Sequence, residues 1–409
     1  MSSSPLSRPS SRISSRIRRI KPSPSSAAAD RFAELRREGR DIINLAIGEP
    51  DFDTPEHIRN AGCEAIQRGE TRYTPVAGTL ALREAIAAKL QRENGLVYSP
   101  REIIVTVGAK HALFNALSVT VEAGHEVIVP APYWVSYPDM VLACDGTPVT
   151  VACREEDDFR LTPEALEAAI TPQTRWLVFN SPTNPTGTTY TNEQLRAIAD
   201  VLLRHPQVMV LADDIYEHIR YTPSAPRHLL AIEPALRDRT LVVNGVSKTY
   251  AMTGWRIGYA AGPADIIAAL DMLQSQSTSG ASSVSQAAAV VALNTDMAFL
   301  PDWVATYKAR RDAAVRLLND IPGIRARAPG GAFYLYPHCG GLIGKRTPQG
   351  KTLETDNDVV IYLLEAGNVM VLAGTAYGVS PYFRMSTATS LEQIEEGCRR
   401  IAAAVAQLR

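Results

Sequence analysis

Residues 240–263 read TLVVNGVSKTYAMTGWRIGYAAGP, an apolar run followed by a polar loop and a second apolar run. The β-branched run over 241–243 predicts a buried strand, which ends at Asn244-Gly245. Lys248 follows where the strand ends, and Arg256 stands at the start of the next apolar segment. A lysine in this place suits imine chemistry, because a deprotonated amine attacks a carbonyl. The ordinary alternative is that Lys248 is a solvated surface lysine. The other segments of the chain decide between a catalytic and a surface lysine.

The composition indicates a globular protein without a strong global charge. Of 409 residues 45% are apolar, and 42 basic residues oppose 43 acidic ones, which leaves a net charge of −1. This balance does not favour nucleic acid or an anionic membrane as a partner. No apolar run approaches the roughly 20 residues that span a bilayer. The five cysteines lack zinc-like spacing, so we expect reduced thiols in a cytoplasmic protein and no metal site.

The N-terminal segment is rich in serine and arginine. Residues 1–21 contain eight serines, six basic residues and no acidic residue. Organelle transit peptides share this composition, but it is more often that of a disordered tail. We expect a flexible tail over residues 1–14 and a short amphipathic helix over 30–39, which Gly39 ends.

From residue 100 onward, short apolar strands alternate with helical stretches. This order predicts parallel βαβ units and an α/β fold with a doubly wound, mostly parallel, seven-stranded sheet. After about residue 300 a long helix around 304–318 and short strands within 328–337 and 381–389 predict a smaller α+β domain. We assign 57–299 to the large domain, and 15–56 with 300–409 to the small one. The predicted strands of the large sheet are 103–107, 126–130, 147–151, 176–180, 207–212, 240–244 and 256–260.

Polar side chains are concentrated where these strands end, the edge at which such sheets bind their ligands. Gly108-Ala109 leads from a strand directly into a helix, whose first N–H groups suit a phosphate. Trp134 follows the next strand and either stacks on a planar ring or packs in the core. Asn184 lies in the turn after another strand, where its amide can reach a ring hydroxyl.

Asp213 ends the strand predicted over 207–212, and Tyr216 follows three residues later. If the chain turns helically there, both side chains lie on one side. A carboxylate at the bottom of a cleft keeps a pyridine nitrogen protonated. Opposite charges about 4 Å apart attract by roughly 4 kcal/mol at an effective dielectric near 20. Since one pKa unit is worth about 1.4 kcal/mol, such a carboxylate raises the pKa of the pyridine nitrogen by about three units.

The chain resembles one family in seven motifs that occur in the family's order. The motifs are GEPDFDTP, YTPVAG, PYWVSYP, NPTG, ADDIYE, SKTYAMTGWRIGY and FRMS. They resemble those of the fold-type-I aminotransferases that depend on pyridoxal phosphate, in the branch of aspartate and prephenate aminotransferases. The resemblance runs from about residue 16 to the C-terminus. It implies that residues 57–299 bind the cofactor.

The resemblance implies a role for each residue at the strand ends. Lys248 forms the imine with the cofactor aldehyde and later moves the proton between Cα and C4′, while Asp213 pairs with the pyridinium nitrogen. Tyr216 and Asn184 contact the ring oxygen O3′, and Trp134 stacks on the ring. The implied phosphate ligands are Gly108, Ala109, Lys110, Ser247, Arg256 and, from the neighbouring subunit of a homodimer, Tyr73.

The resemblance also implies how a substrate is held. Arg384 clamps the α-carboxylate, for which a planar bidentate fork is suited, and Gly48 closes over it. Lys21 and Lys110 match two lysines that hold a distal carboxylate, which favours aspartate or glutamate. Lys21 also belongs to a basic tail, and Pro24 departs from the KPSAT usual in the branch. The implied substrate-binding set is Gly48, Trp134, Asn184, Arg384, Lys21 and Lys110.

The implied activity is that of an aspartate aminotransferase. A ping-pong reaction would convert L-aspartate and 2-oxoglutarate to oxaloacetate and L-glutamate, with prephenate or aromatic amino acids as alternative substrates. A pyridoxal-phosphate-dependent lyase on the same scaffold is a second reading, which its released ammonia or side-chain fragment would identify. A transcription regulator with an aminotransferase-like domain is a third. We do not expect a regulator, because the roughly 40 residues before the family core are too few for a winged-helix DNA-binding domain.

Overall fold

The computed structural model describes residues 12–222 and 228–409, in which strands and helices alternate. Most of the tail predicted for residues 1–14 lies outside the described residues. The strands are β1 Ile43–Asn44, β2 Ile103–Thr106, β3 Glu126–Ala131, β4 Thr147–Ala152, β5 Thr174–Asn180, β6 Met209–Asp213, β7 Thr240–Gly245, β8 Gly258–Ala261, β9 Tyr334–Leu335, β10 Val369–Met370, β11 Leu372–Ala373 and β12 Phe383–Ser386. The helices are α1 Pro24–Arg37, α2 Glu56–Gln67, α3 Leu80–Lys89, α4 Ala109–Thr120, α5 Ser136–Ala143, α6 Pro163–Ala169, α7 Asn192–Arg204, α8 Leu229–Ile232, α9 Ala264–Ser275, α10 Ser283–Asn294, α11 Leu300–Asn319, α12 Asp356–Gly367 and α13 Leu391–Val405.

Seven strands form the central sheet in the order β2-β8-β7-β6-β5-β3-β4. Strand β8 runs antiparallel to its neighbours β2 and β7, and the remaining pairs are parallel. The predicted seven-stranded, mostly parallel sheet is therefore confirmed. Because β8 is reversed, its first residues lie at the edge where the other six strands end. Arg256, two residues before β8, is brought to this edge as well.

Alternate residues of the central strands face two separate apolar cores. Leu211, Leu241 and Val243 pack in a cluster with residues of α4, α5 and α9. Val210 and Val242 pack on the other side, with residues of α3, α7 and α10. Since successive side chains of a strand point to opposite faces, helices cover the sheet on both sides. This is the doubly wound arrangement that the alternation of strands and helices predicts.

The smaller α+β domain is also confirmed. It contains the antiparallel sheet β11-β12-β9 and the parallel pair β1-β10. Residues of α11, α12 and α13 pack against these strands in a separate apolar cluster that includes Leu45, Leu318, Val359, Phe383 and Ile401. Every helix in the described ranges is too short or too polar to cross a lipid bilayer.

Two local predictions differ from the structure. Helix α1 begins at Pro24, six residues before the start expected at residue 30, and ends at Arg37. Proline at the first helical position lacks an N–H that would be unpaired there anyway, so it suits a helix start. The strand predicted within 328–337 is reduced to β9. Its first part bonds to loops of the large domain instead, with the N–H of Gly331 donating to the carbonyl of Gly187 at 2.9 Å.

Candidate active site

A cavity of about 520 Å³ opens at the edge where the parallel strands end. Most residues singled out in the sequence line it, together with part of α1 from the N-terminal region. The predicted site residues in its lining are Gly48, Ala109, Lys110, Trp134, Asn184, Asp213, Tyr216, Ser247, Lys248, Arg256 and Arg384. The segments that carry them are far apart in sequence, and the sheet topology brings them together.

Lys248 lies in the loop after β7 and points into this cavity. Its Nζ donates a hydrogen bond to the carbonyl oxygen of Gly48 at 2.5 Å. Burial, together with the nearby charges of Arg384 and Arg256, lowers the pKa of Lys248 to about 8, while Glu49 opposes them. An amine with this pKa is substantially neutral from pH 8 upward, whereas an ordinary lysine is protonated there. Lys248 is therefore suited to attack a carbonyl.

Asp213 is the last residue of β6 and is buried at the bottom of the cavity. Its Oδ2 accepts a hydrogen bond from the Tyr137 hydroxyl at 2.6 Å, and its Oδ1 accepts one from the N–H of Ile215 at 3.3 Å. Burial raises the pKa of Asp213 to about 6. No basic side chain in the described residues forms an ion pair with it. A buried carboxylate with only neutral donors is costly, and a cationic N–H from a ligand would relieve that cost.

Arg384 is a buried cation on β12, only 2% exposed. Its Nη2 donates to the carbonyl of Ala46 at 2.6 Å and its Nη1 to Oδ1 of Asn184 at 3.1 Å. The guanidinium lies 4.5 Å from the ring centre of Tyr334. Within the described chain no carboxylate pairs with Arg384. A carboxylate entering the cavity would meet a planar donor fork already held in place.

The start of α4 and two side chains form a cradle for an anion. Helix α4 begins at Ala109, so its unpaired N–H groups and positive dipole end face the cavity. Ser247 and Arg256 line the same region. Gly108 has φ +85°, and a Cβ there would lie 2.4 Å from Nη2 of Arg256. Only glycine allows the guanidinium to sit against this turn.

Lys110 and Trp134 contact each other on the wall of the cavity. The Nζ of Lys110 lies 4.8 Å from the indole ring centre, within the range of a cation–π contact. Burial lowers the pKa of Lys110, and the nearby charge of Arg256 lowers it further. The indole also meets the ring of Tyr137 edge-on, with the ring centres 5.3 Å apart. A positive charge and an aromatic face therefore stand side by side.

Tyr137, Asn180 and Tyr334 line the cavity too, although sequence reasoning missed them. The Tyr334 hydroxyl bonds to that of Tyr216 at 2.8 Å. The amide of Asn180 donates to the carbonyl of Asp213 at 2.8 Å. Asn180 ends β5 as Asp213 ends β6, so its place at a strand end was an available signal. Tyr334 had no such signal, because its partner lies in a distant segment.

Three predicted site residues are not part of the cavity lining: Gly108, which directly precedes α4, Tyr73 and Lys21. The side chain of Tyr73, in the loop between α2 and α3, is 98% exposed. Lys21 is exposed, and its backbone N–H donates to Oδ1 of Asp139 at 3.1 Å. From the N-terminal region it is α1 that reaches the cavity, through Ser25, Ala28, Ala29 and Phe32.

Three comparisons relate this architecture to known proteins. The family model Aminotransferase class I and II matches residues 40–401. A probable aspartate/prephenate aminotransferase of Rhizobium leguminosarum bv. phaseoli is 54% identical over 385 residues, which cover 94% of this chain and 96% of that protein. The crystal structure of the aspartate aminotransferase from Rhizobium meliloti is 51% identical, with a TM-score of 0.94 over 97% of this chain and 99% of that one. The aspartate aminotransferase of Thermus thermophilus with maleate is 40% identical, with a TM-score of 0.90 over 96% and 99% of the two chains. The chain belongs to the class I and II aminotransferases, the family that its motifs and its cavity both indicate.

Proposed function

We propose that this transaminase acts on L-aspartate and 2-oxoglutarate and produces oxaloacetate and L-glutamate. One observation carries the proposal: the lysine of lowered pKa, the buried acid and the unpaired guanidinium all face a single cavity. Lys248, Asp213 and Arg384 thus provide a partner for an aldehyde, for a ring nitrogen and for a carboxylate. The names of the relatives support aspartate as the donor. Prephenate is the second candidate, because one relative is named for both substrates.

Fold-type-I aminotransferases use pyridoxal phosphate, and the residues of this cavity fit that cofactor. Asp213, which has only neutral donors, suits a protonated pyridine nitrogen. The start of α4, with Ser247 and Arg256, suits the phosphate, since Gly108 leaves room for the guanidinium beside it. Lys248 lines the same cavity and would bind the aldehyde. When bound, the cofactor supplies an electron sink for the carbanion formed at the substrate Cα.

The other residues of the cavity hold the ring and move protons. We assign contacts with the ring oxygen O3′ to the Tyr216 hydroxyl and the Asn184 amide, and the stacking contact to Trp134. In this scheme the Lys248 amine would accept the proton from the substrate Cα and would pass it on toward C4′ of the cofactor. The low pKa of Lys248 supports this role, because a general base is most effective when its pKa lies near the working pH.

Arg384, Gly48 and two lysines are proposed to bind the substrate. The Arg384 fork takes the α-carboxylate, and the backbone at Gly48 closes over it, where a Cβ would lie 2.9 Å from the Tyr334 hydroxyl. Lys110, on the cavity wall, is assigned to the distal carboxylate. Lys21, four residues before Ser25 in the cavity lining, remains a second proposed ligand of that group. The dicarboxylate maleate in the Thermus structure supports this substrate class.

Single-turnover mixing of the loaded protein with L-aspartate tests the activity. We expect stoichiometric oxaloacetate and conversion of the cofactor to its amine form, which absorbs at a different wavelength. If the cofactor is bound but is not converted, the proposed transamination of aspartate is contradicted. Release of ammonia or of a side-chain fragment would instead indicate a lyase. A panel of donors then ranks aspartate, prephenate and aromatic amino acids. In that panel, Lys21→Ala should weaken dicarboxylic donors alone, and equal losses for all donors would contradict its proposed role.

We also propose a homodimer with shared active sites. Between residues 66 and 80 the side chains of Ile66, Tyr73 and Leu80 are 57%, 98% and 55% exposed, an unusual amount of apolar surface for one short stretch. A partner that covers this stretch would let Tyr73 reach the phosphate of the neighbouring site. Sedimentation velocity should give the mass of two 44.4 kDa chains, and a monomer would contradict the proposal. In the dimer, Tyr73→Phe should weaken cofactor binding about tenfold or more, since a hydrogen bond to a charged group contributes ~1.5–3 kcal/mol.

The domain boundaries and the location of the protein are proposals too. Residues 57–299 would form the large, cofactor-binding domain, and residues 15–56 with 300–409 the small one. Separate apolar clusters in the two parts support the division. All five cysteines are free thiols, which supports a reducing cytoplasm.

A further inference from the structure

A half-buried polar cluster lies behind the segments that carry Tyr216 and Lys248. We name it the Lys89 cluster; it consists of Lys89, Glu93, Asn94, Glu217 and His218. Lys89 is only 2% exposed, and its Nζ donates to Glu217 and, at 2.9 Å, to Oδ1 of Asn94. The amide of Asn94 donates to the other oxygen of Glu217 at 2.6 Å. None of these five residues lines the cavity.

The cluster is charged and internally paired. Glu93, Glu217 and His218 place ligand atoms within 4.8 Å of one another, a spacing that can hold a metal ion. The ammonium of Lys89 already neutralises these acids in place of a metal ion. It lies 3.4 Å from Glu93 and also forms an ion pair with Glu217. Burial by itself would raise the pKa of Glu217, but Lys89 and His218 lower it to about 2. The acids are therefore ionised at neutral pH, and the Lys89 ammonium provides their counter-charge.

Two hydrogen bonds connect the cluster to the segment that carries Lys248. The amide of Asn244, just before the loop that leads to Lys248, donates to Oε1 of Glu217 at 2.5 Å. His218 Nδ1 bonds to the hydroxyl of Thr249 at 3.1 Å, and its Nε2 bonds to Glu93 at 2.9 Å. Glu217 and His218 directly follow Tyr216, and Thr249 directly follows Lys248. The segment of the phenol and the segment of the amine are thus tied together on both sides.

We propose that Glu217 and His218 are positioning residues, which set the placement of the Tyr216 phenol relative to the Lys248 amine. The inference rests on the proposed function, because it concerns the group that moves the substrate proton. The Nζ of Lys248 lies 5.9 Å from the ring centre of Tyr216, and no hydrogen bond joins the two side chains within the described residues. Their separation therefore depends on the backbones behind them as well as on the separate contacts of Lys248 with Gly48 and of Tyr216 with Tyr334. Lys89 anchors this arrangement to α3, which is buried against the sheet.

Thr249→Val removes the hydrogen bond between His218 and the Thr249 hydroxyl with little change in volume. Thr240→Val is its matched control. Both threonines are buried, but the Thr240 hydroxyl donates to the carbonyl of Leu236 at the other end of β7. We expect Thr249→Val to lower kcat with aspartate about tenfold or more, with KM changed less than about threefold, because small misplacements of a reacting group are costly. Thr249→Ser, which keeps the hydroxyl, should restore kcat. Thr240→Val should lose a similar amount of stability and keep kcat.

A spectroscopic titration without substrate provides the second readout. The absorbance of the bound cofactor changes with pH at a midpoint that depends on the surroundings of the Lys248 nitrogen. Thr249→Val should move this midpoint by about half a unit or more in either direction, equivalent to a change of about threefold in the proton equilibrium. Thr240→Val and Thr249→Ser should leave it within about a fifth of a unit of the wild type. Equal kcat and equal midpoints in Thr249→Val and Thr240→Val would overturn the inference.

Lys89→Met and Glu217→Gln test the charged part of the cluster. Each single change leaves a largely buried charge without its nearest counter-charge, so we expect a lower midpoint of urea unfolding in both. The double variant removes both charges and should recover most of the stability. If its kcat and titration midpoint also return to wild-type values, the pair is merely structural and the inference fails. If the wild-type protein does not transaminate aspartate, the proposed substrate is wrong. The titration still tests the positioning role, because it is carried out without substrate.

Discussion

Lys248→Ala is expected to lower kcat for transamination by at least about 10⁴-fold, since it removes both the group that binds the aldehyde and the base that moves the proton. Among the described residues, Lys110 is the only other lysine in the lining, and it lies against Trp134. The cofactor should still bind through its phosphate and ring nitrogen, without a covalent bond. Steady-state assays with aspartate and 2-oxoglutarate measure the loss, and the absorbance spectrum measures cofactor occupancy.

An exposed lysine provides the control for this prediction. Lys308 is half exposed on α11 and pairs with Asp312 at 2.8 Å, away from the cavity. Lys308→Ala should keep kcat within about twofold of the wild type, because surface ion pairs contribute little. Activity of Lys248→Ala above about one hundredth of the wild-type value, with cofactor bound, would contradict the assigned role.

Asp213→Asn is expected to lower kcat about 10³-fold. The change keeps the size of the side chain and removes its charge. A charge pair about 4 Å apart is worth roughly 4 kcal/mol at an effective dielectric near 20, and each tenfold in rate costs about 1.4 kcal/mol. Without this charge the ring nitrogen loses its proton and the cofactor accepts electrons poorly. The measurement is kcat at saturating cofactor, together with the dissociation constant of the cofactor.

Tyr137→Phe separates the charge of Asp213 from its hydrogen bond. This variant removes the donor at 2.6 Å and leaves the carboxylate, so a loss of about ten- to a hundredfold is expected, smaller than that of Asp213→Asn. The wild type should also bind the cofactor less tightly as pH falls through about 6, since the raised pKa of Asp213 means that its charge disappears there. A loss below about tenfold in Asp213→Asn, or equal losses in both variants, would contradict the charge argument.

Residue types and local periodicity predicted much of this protein. The apolar runs at Leu211 and Leu241 are continuous, as strands buried on both faces require, so the sheet followed from local pattern. Chemically distinctive residues at strand ends, such as Asp213 and Lys248, were found because strand ends in such sheets form one edge. The motif resemblance then added Arg384, which lies in a different part of the chain and has no local signal of its own.

Burial and pairing were decided only by the tertiary structure. Lys89 reads in the sequence as one more lysine near the end of a helix, four residues before Glu93. Only the tertiary packing of α3 buries it and brings it to Glu217. Tyr334 became a partner of Tyr216 in the same way, through two elements that meet across the domains. The sequence by itself therefore determined the elements of the fold and the chemical groups of the site. The tertiary structure determined the distances, the pKa values and the Lys89 cluster, because these depend on water exclusion and on contacts between residues distant along the chain.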